Sequence, residues 1–152
     1  MLAVVLAGSL LGGGLAGCGI LPPATEKTEE ATVDYGDVAE AVTKAVPRVV
    51  AVEDPVRWRN GLGHGLELSL VTDSAAPFTA EELDALVETI WRTLPWEPNA
   101  VVLTAGAKDG GDPVDLRAAA AELSPLGVTN AGRGGVSLTD MKARYGAWTA
   151  PE

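Results

Sequence analysis

The stretch VVAVEDPVRWRNGLGHGLELSLVT, residues 49–72, decides the architecture. Its second half sets Leu66, Leu68 and Leu70 against Glu67 and Ser69, the period of two that gives a strand one dry face and one wet face. Its first half is β-rich from Val49 to Val52, breaks at Asp54-Pro55 and resumes through Val56 and Trp58. Proline cannot donate to a ladder, so this half belongs at a sheet edge or carries a bulge. Between the halves, Asn60-Gly61 is a strong turn signal, because both residue types accept positive φ. The stretch reads as a β-hairpin.

Helical spacing flanks it on both sides. Upstream, Val38, Ala41, Val42, Ala45 and Val46 recur behind Asp34, a residue suited to an N-cap, and Pro47 stops the run. Downstream, Thr79 and Glu82 have the spacing of a capping box. Leu83, Leu86, Val87, Ile90, Trp91 and Leu94 then form the best amphipathic stripe in the chain, closed by Pro95. Ala100 to Ala105 predicts a third strand, and Asp112-Pro113 is placed to start a helix burying Leu116, Ala119, Ala120 and Leu123. The tail reads as a loop followed by a short helix, capped by Ser137, through Met141 to Tyr145, with Gly146 at its C-terminal cap. The order α-β-β-α-β-α plus a short C-terminal helix predicts an α+β fold, a two-layer sandwich with a small, mostly antiparallel sheet. Helix, hairpin, helix and strand in this order resemble BON-type envelope domains in layout, a likeness that transfers no function.

The beginning of the chain has a different character. Residues 1–17 hold no charged side chain and end in Leu15-Ala16-Gly17-Cys18. The apolar part is shorter than the roughly 20 residues a spanning helix needs, and suits the apolar region of an export signal. Leu15-Ala16-Gly17-Cys18 resembles the lipobox of bacterial lipoproteins. That resemblance implies a signal peptide over residues 1–17, cleavage between Gly17 and Cys18, and a diacylglyceryl group on the Cys18 sulfur. It also implies export to the outer face of the cytoplasmic membrane, or to an outer membrane if there is one. Cys18 is the only cysteine, so an intrachain disulfide is excluded and lipidation would account for the lone thiol. Residues 18–32, with Pro22-Pro23 and a Thr-Glu-Lys run, carry too little apolar content to fold and are expected to be a disordered tether. A single globular domain is expected over 33–148, with residues 149–152 frayed.

Every charged residue lies beyond residue 17, so cleavage leaves the formal charge of −10 intact. Such a balance opposes nucleic acid and anionic headgroups as partners. No sequence spacing indicates catalysis: zinc-ligand pairs, His-Glu-x-x-His and Gly-x-Ser-x-Gly are all missing from the chain beyond Cys18. His64, the only histidine, sits among Gly61, Gly63 and Gly65, where a polar turn residue is the simpler reading than a base or ligand. Asp109, Asp112 and Asp115 lack the spacing of a calcium loop, and position 120 is Ala where that loop needs a bidentate Glu. No catalytic residue, metal or cofactor is therefore assigned.

The aromatic residues and their arginine neighbours remain. Arg57, Trp58, Arg59, Trp96, Tyr145 and Trp148 are the residue types that concentrate binding energy in interfaces, and are the candidate partner surface. Their large apolar area favours burial instead, with the C-terminal segment folded across the second face of the sheet. The leading expectation is a noncatalytic, membrane-anchored envelope lipoprotein, a binding or assembly module for another envelope protein. A small-ligand or ion carrier and an envelope enzyme without a recognisable motif are the alternatives.

Overall fold

In the computed structural model, which describes residues 32–152, the hairpin is the first pair of a five-stranded sheet. Val33 to Glu152 form one compact unit. The expected signal segment, Cys18 and the tether as far as residue 31 lie outside the described residues.

Strand β1 (Val49–Asn60) runs antiparallel to β2 (Gly63–Thr72), from Val49 opposite Thr72 to Asn60 opposite Gly63. Gly61 turns the chain at φ +61°. The register slips between Glu53 and Val56, where Asp54 takes φ +50° and Pro55 follows, so the proline sits at an irregularity of an edge strand. Helix α1 (Val38–Ala45) precedes the hairpin and α2 (Ala80–Thr93) follows it. The α2 start has the capping box in full: Thr79 Oγ1 accepts from Glu82 N–H at 3.2 Å, and Glu82 Oε2 accepts from Thr79 N–H at 3.0 Å. Strand β3 (Pro98–Ala107) lies beside β2 in parallel, Leu66 opposite Val101 and Leu70 opposite Ala105. A parallel neighbour requires a crossover, and α2 supplies it.

Beyond β3 come α3 (Arg117–Ala121), β4 (Gly127–Gly132), β5 (Gly135–Thr139) and α4 (Met141–Tyr145). Sheet order is β1-β2-β3-β5-β4, with every pairing antiparallel except β2–β3. The fold is α+β, and the mostly antiparallel sheet has five strands where the sequence reading placed three.

Alternation in the strands decides where the core lies. Leu66, Leu68 and Leu70 of β2, Val101 and Leu103 of β3, and Val136 and Leu138 of β5 are all buried. Against them pack Val38 and Val42 of α1, Leu83, Leu86, Val87 and Ile90 of α2, and Ala119 and Ala120 of α3. Each fully buried Val, Leu or Ile contributes about 1.5–3 kcal/mol, which is why the α2 stripe dominates the helix layer.

Three local expectations need correcting. Helix α1 begins at Val38, not behind Asp34, whose Oδ1 instead accepts from Gly36 N–H at 2.8 Å in a turn with Gly36 at φ +56°. Asp112-Pro113 starts no helix. Ala107 N–H bonds Asp112 O at 3.0 Å and Val114 N–H bonds Ala105 O at 2.9 Å, which holds that segment extended against the end of β3. Helix α3 starts only at Arg117, where the Asp115 carboxylate accepts from its N–H at 2.8 Å. Finally, residues 127–139 form a hairpin, with Arg133 and Gly134 at φ +49° and +80° in its turn, so Ser137 is mid-strand and caps nothing.

The C-terminal segment packs on the helix layer, not across the second face of the sheet. Arg144 grips Asp84 of α2 with two hydrogen bonds of 2.7 Å, and Tyr145 Oη donates to the same carboxylate at 2.7 Å. Arg92 returns a bond to Tyr145 O at 2.7 Å, and Trp91 Nε1 donates to Gly146 O at 3.2 Å. The Arg144 hydrogen bond is the main cause that holds the Asp84 carboxyl below its ordinary range, against the opposing effect of burial. Burial chiefly, with the Asp84 bond, pushes the Tyr145 phenol up.

A carboxyl depressed by folding stabilises the protein fully above its unfolded pKa of about 4, and that contribution fades as the pH falls through the lower folded value. Asp84→Asn should therefore cost about 1–2 kcal/mol at pH 7, a charge-assisted bond discounted for its partial exposure. Urea unfolding between pH 2 and pH 7 should show a stability loss below about pH 4 that is shallower in the variant than in the parent.

Candidate functional site

One layer of helices can cover only one side of a sheet, and here the other side is bare. Side chains opposite one another in the ladders share a face, so three rows cross it. Trp58, Gly65 and Ala100 form the first, Val56, Glu67, Val102 and Ser137 the second, and Glu53, Ser69 and Thr104 the third. Val56 is 46% exposed, Glu53 and Glu67 are exposed, and Ser69, Val102, Thr104 and Ser137 are half-buried. Gly65 and Ala100, in the Trp58 row, are buried.

Trp58 is the exception in size. A Cβ placed on Gly65 would fall well inside contact distance of Trp58 Cε2, Cζ2 and Cη2 together, so the six-membered ring lies across the β2 backbone where a side chain would otherwise stand. Glycine is required there for that approach. The ring is half-buried and does not join the hydrophobic core against which Trp96 and Trp148 pack. One of its faces rests on the sheet at Gly65.

The far end of the same face holds a groove of about 480 Å³. Ser69, Val71 and Thr104 line its floor, Glu53 and Asp54 one side, and Lys108, Gly111 and Pro113 the end, with Arg133 at the rim. Its walls are built by backbone bonds. Gly111 N–H donates to Ala107 O at 2.8 Å, and Leu116 N–H donates to Gly134 O at 2.9 Å, tying the 111–116 segment to the β4–β5 turn. A Cβ on Gly134 would meet Val114 O at 3.0 Å, so this junction is closely packed. Ser69 Oγ and Thr104 Oγ1 stand 3.4 Å apart on the floor. Among the described residues, neither the acids Glu53, Asp54 and Glu67 nor the cations Lys108 and Arg133 take part in an ion pair.

The candidate partner residues fall in three places. Trp58 alone is on the bare face. Arg57 and Trp96 lie on the helix side at the hairpin end, the guanidinium 5.5 Å from the ring centroid. Tyr35 and His64 meet the Trp96 ring edge-on at 6.4 and 6.2 Å. Tyr35 Oη accepts from Arg57 N–H at 3.0 Å and Asp34 O accepts from Trp96 Nε1–H at 3.0 Å, so this cluster pins the start of the compact unit to the sheet. Arg59 is exposed beside His64 in the ladder. Tyr145 is buried in the clamp on α2, and Trp148 packs at the edge of the core with its Nε1 buried and unpartnered. Cys18 and Gly17 lie outside the described residues. Of the three aspartates weighed for a metal, Asp115 is engaged by Arg117 at 2.8 and 3.0 Å, which holds its carboxyl down at about 2.

Glu53, Ser69, Thr104, Lys108 and Arg133 had no motif to announce them. Their proximity comes from the parallel β2–β3 pairing and from the β4–β5 turn. Comparison with protein families, with curated proteins and with solved structures finds no match to this chain.

The stacking of Trp58 on Gly65 can be measured as a coupling. Gly65→Ala should cost about 1–3 kcal/mol, as an overpacked contact does. The same change in a Trp58→Ala background should cost less than half as much in urea unfolding, because the ring it strikes is gone.

Proposed function

We propose that this chain is a noncatalytic, lipid-anchored envelope protein whose compact unit is a binding module, and that the bare sheet face is its binding surface. The observation that carries the reading is a sheet face without helices, with the half-buried Trp58 ring stacked on Gly65 at one end and a groove of mixed polarity at the other. Large rings concentrate binding energy, and one lying outside the core on a bare face is placed to do so. The lipobox-like Leu15-Ala16-Gly17-Cys18 supports the anchored half of the reading. Two acyl chains on Cys18 would hold the protein at a membrane, since each buried methylene contributes about 0.8 kcal/mol. The charge of −10 would keep the body from lying on anionic headgroups. Among the described residues no helix is long and apolar enough to cross a membrane.

A small-ligand carrier is the second reading, favoured by the groove, whose volume falls within the range of about 300–1,000 Å³ common for ligand sites. His64 gives no support to an enzyme, because its ring is packed edge-on against Trp96 on the opposite side of the sheet.

Two measurements in cells test the proposal. Intact mass of the protein from its host should show a diacylated chain beginning at Cys18, and Cys18→Ala should move it from the membrane to the soluble fraction. A photoreactive residue at position 102 should give one defined crosslinked product in the envelope, and one at position 81 on the helix layer should not. A bare thiol with residues 1–17 retained would overturn the anchor. Equal and diffuse labelling from both positions would overturn the binding face.

A further inference from the structure

We infer that the bare face is a saccharide-binding platform, with an uncharged pyranose chain lying along β2 from the Trp58 ring to the groove at Ser69 and Thr104. This rests on the binding-module reading above and names its ligand. Three observations lead to it.

The backbone of β2 is laddered on both sides, and that of β3 is bonded to β2 on one side and to β5 and the 112–114 segment on the other, so a ligand on this face meets chiefly side chains. That disfavours a peptide, which would add to a sheet edge through its main chain. The side chains present offer both halves of hydroxyl recognition. Glu53 and Glu67 only accept, Lys108 and Arg133 only donate, and the Ser69 and Thr104 hydroxyls do either. No one of the four charged groups is consumed by an ion pair among the described residues. A polyol, whose every hydroxyl both donates and accepts, matches such a mixed lining better than an anion or a cation does.

The third observation is Trp58. Its ring lies flat on Gly65, in the row that ends at the buried Ala100, so the ring itself is the apolar surface at that end of the face. A pyranose presents a flat face of C–H groups flanked by hydroxyls, and so fits a ring laid flat beside a carboxylate such as Glu67. From the Trp58 row to the Ser69 row is four residues, about 13 Å at ~3.3 Å each, so the ligand has to be a chain of several sugars. The overall charge of −10, together with Glu53 and Glu67 on the face, repels a sulfated or nucleic acid chain, and an uncharged one is admitted.

The test uses the full chain in a detergent without a sugar headgroup. Tetrasaccharides of β-1,4-glucose, β-1,4-N-acetylglucosamine and α-1,4-glucose are titrated by calorimetry beside the matching monosaccharides and a sulfated dextran. At least one uncharged tetrasaccharide should bind, at least about tenfold tighter than its monosaccharide. Trp58→Ala should weaken it at least about tenfold, as loss of an aromatic hot spot does. Trp58→Phe should retain part of the binding, and Glu67→Gln should weaken it several-fold with an unchanged thermal midpoint. If Trp58→Ala does not fold, Glu67→Gln and Thr104→Val carry the test. Absence of binding by every uncharged saccharide at millimolar concentration would overturn the inference, as would tighter binding of the sulfated chain or indifference to all of these substitutions. Should no saccharide bind while position 102 still crosslinks one envelope protein, the saccharide claim falls and the binding module stands. Should neither occur, both fall.

Discussion

The alternation of Leu66, Leu68 and Leu70 with Glu67 and Ser69 constrains everything else in this protein. A side-chain period of two commits β2 to one dry face, and β3 and β5 align their own buried residues with it in register. The helices must then gather on that side, because only there is apolar surface to cover. The opposite face is left with the other half of each strand, which is mixed in polarity and free of helices.

Particular contacts keep the helix layer on its own side. Arg48 gathers the β2–α2 connection, donating to Ala76 O at 2.5 Å, Pro77 O at 3.2 Å and Glu82 at 3.2 Å, with its guanidinium 4.6 Å from the Phe78 centroid. Asp84, two residues further along α2, holds α4 through Arg144 and Tyr145 in the same way. The two faces thus differ: one is tied shut by charged hydrogen bonds, and on the other only Trp58 lies across the strands, over Gly65.

How much of this could be read from the chain follows the range of the interactions involved. The hairpin, the α2 capping box and the apolar stripe depend on neighbours within a few residues, and their signals are written locally in Asn60-Gly61, in Thr79 and Glu82, and in the spacing from Leu83 to Leu94. Strand β4 leaves no such signal, since Gly127–Gly132 is almost wholly exposed, and without it the short alternation of Val136 and Leu138 in β5 lacks a visible partner, Arg133-Gly134 being an uncommon choice for a turn of positive φ. The Asp112-Pro113 helix start failed for a tertiary reason: two backbone bonds to the end of β3 outweighed a favourable local cap. The candidate site was legible only in Trp58. Its neighbours Gly65, Glu67, Ser69 and Thr104 are ordinary residues whose meaning comes from register, and Arg57, Trp96, Tyr145 and Trp148 lie away from that face.

If the bare sheet face is the binding surface proposed above, it is open in the isolated protein and covered in the cell. Hydroxyl-radical footprinting, read by mass spectrometry on the purified chain and on intact envelopes, tests it within a single molecule by comparing two tryptophans. In the purified protein Trp58 should oxidise readily while Trp91, only 2% exposed, stays protected, and in the envelope Trp58 should become protected as well. Equal protection of both rings in the purified protein would show the face closed, and undiminished oxidation of Trp58 in the envelope would show it unoccupied.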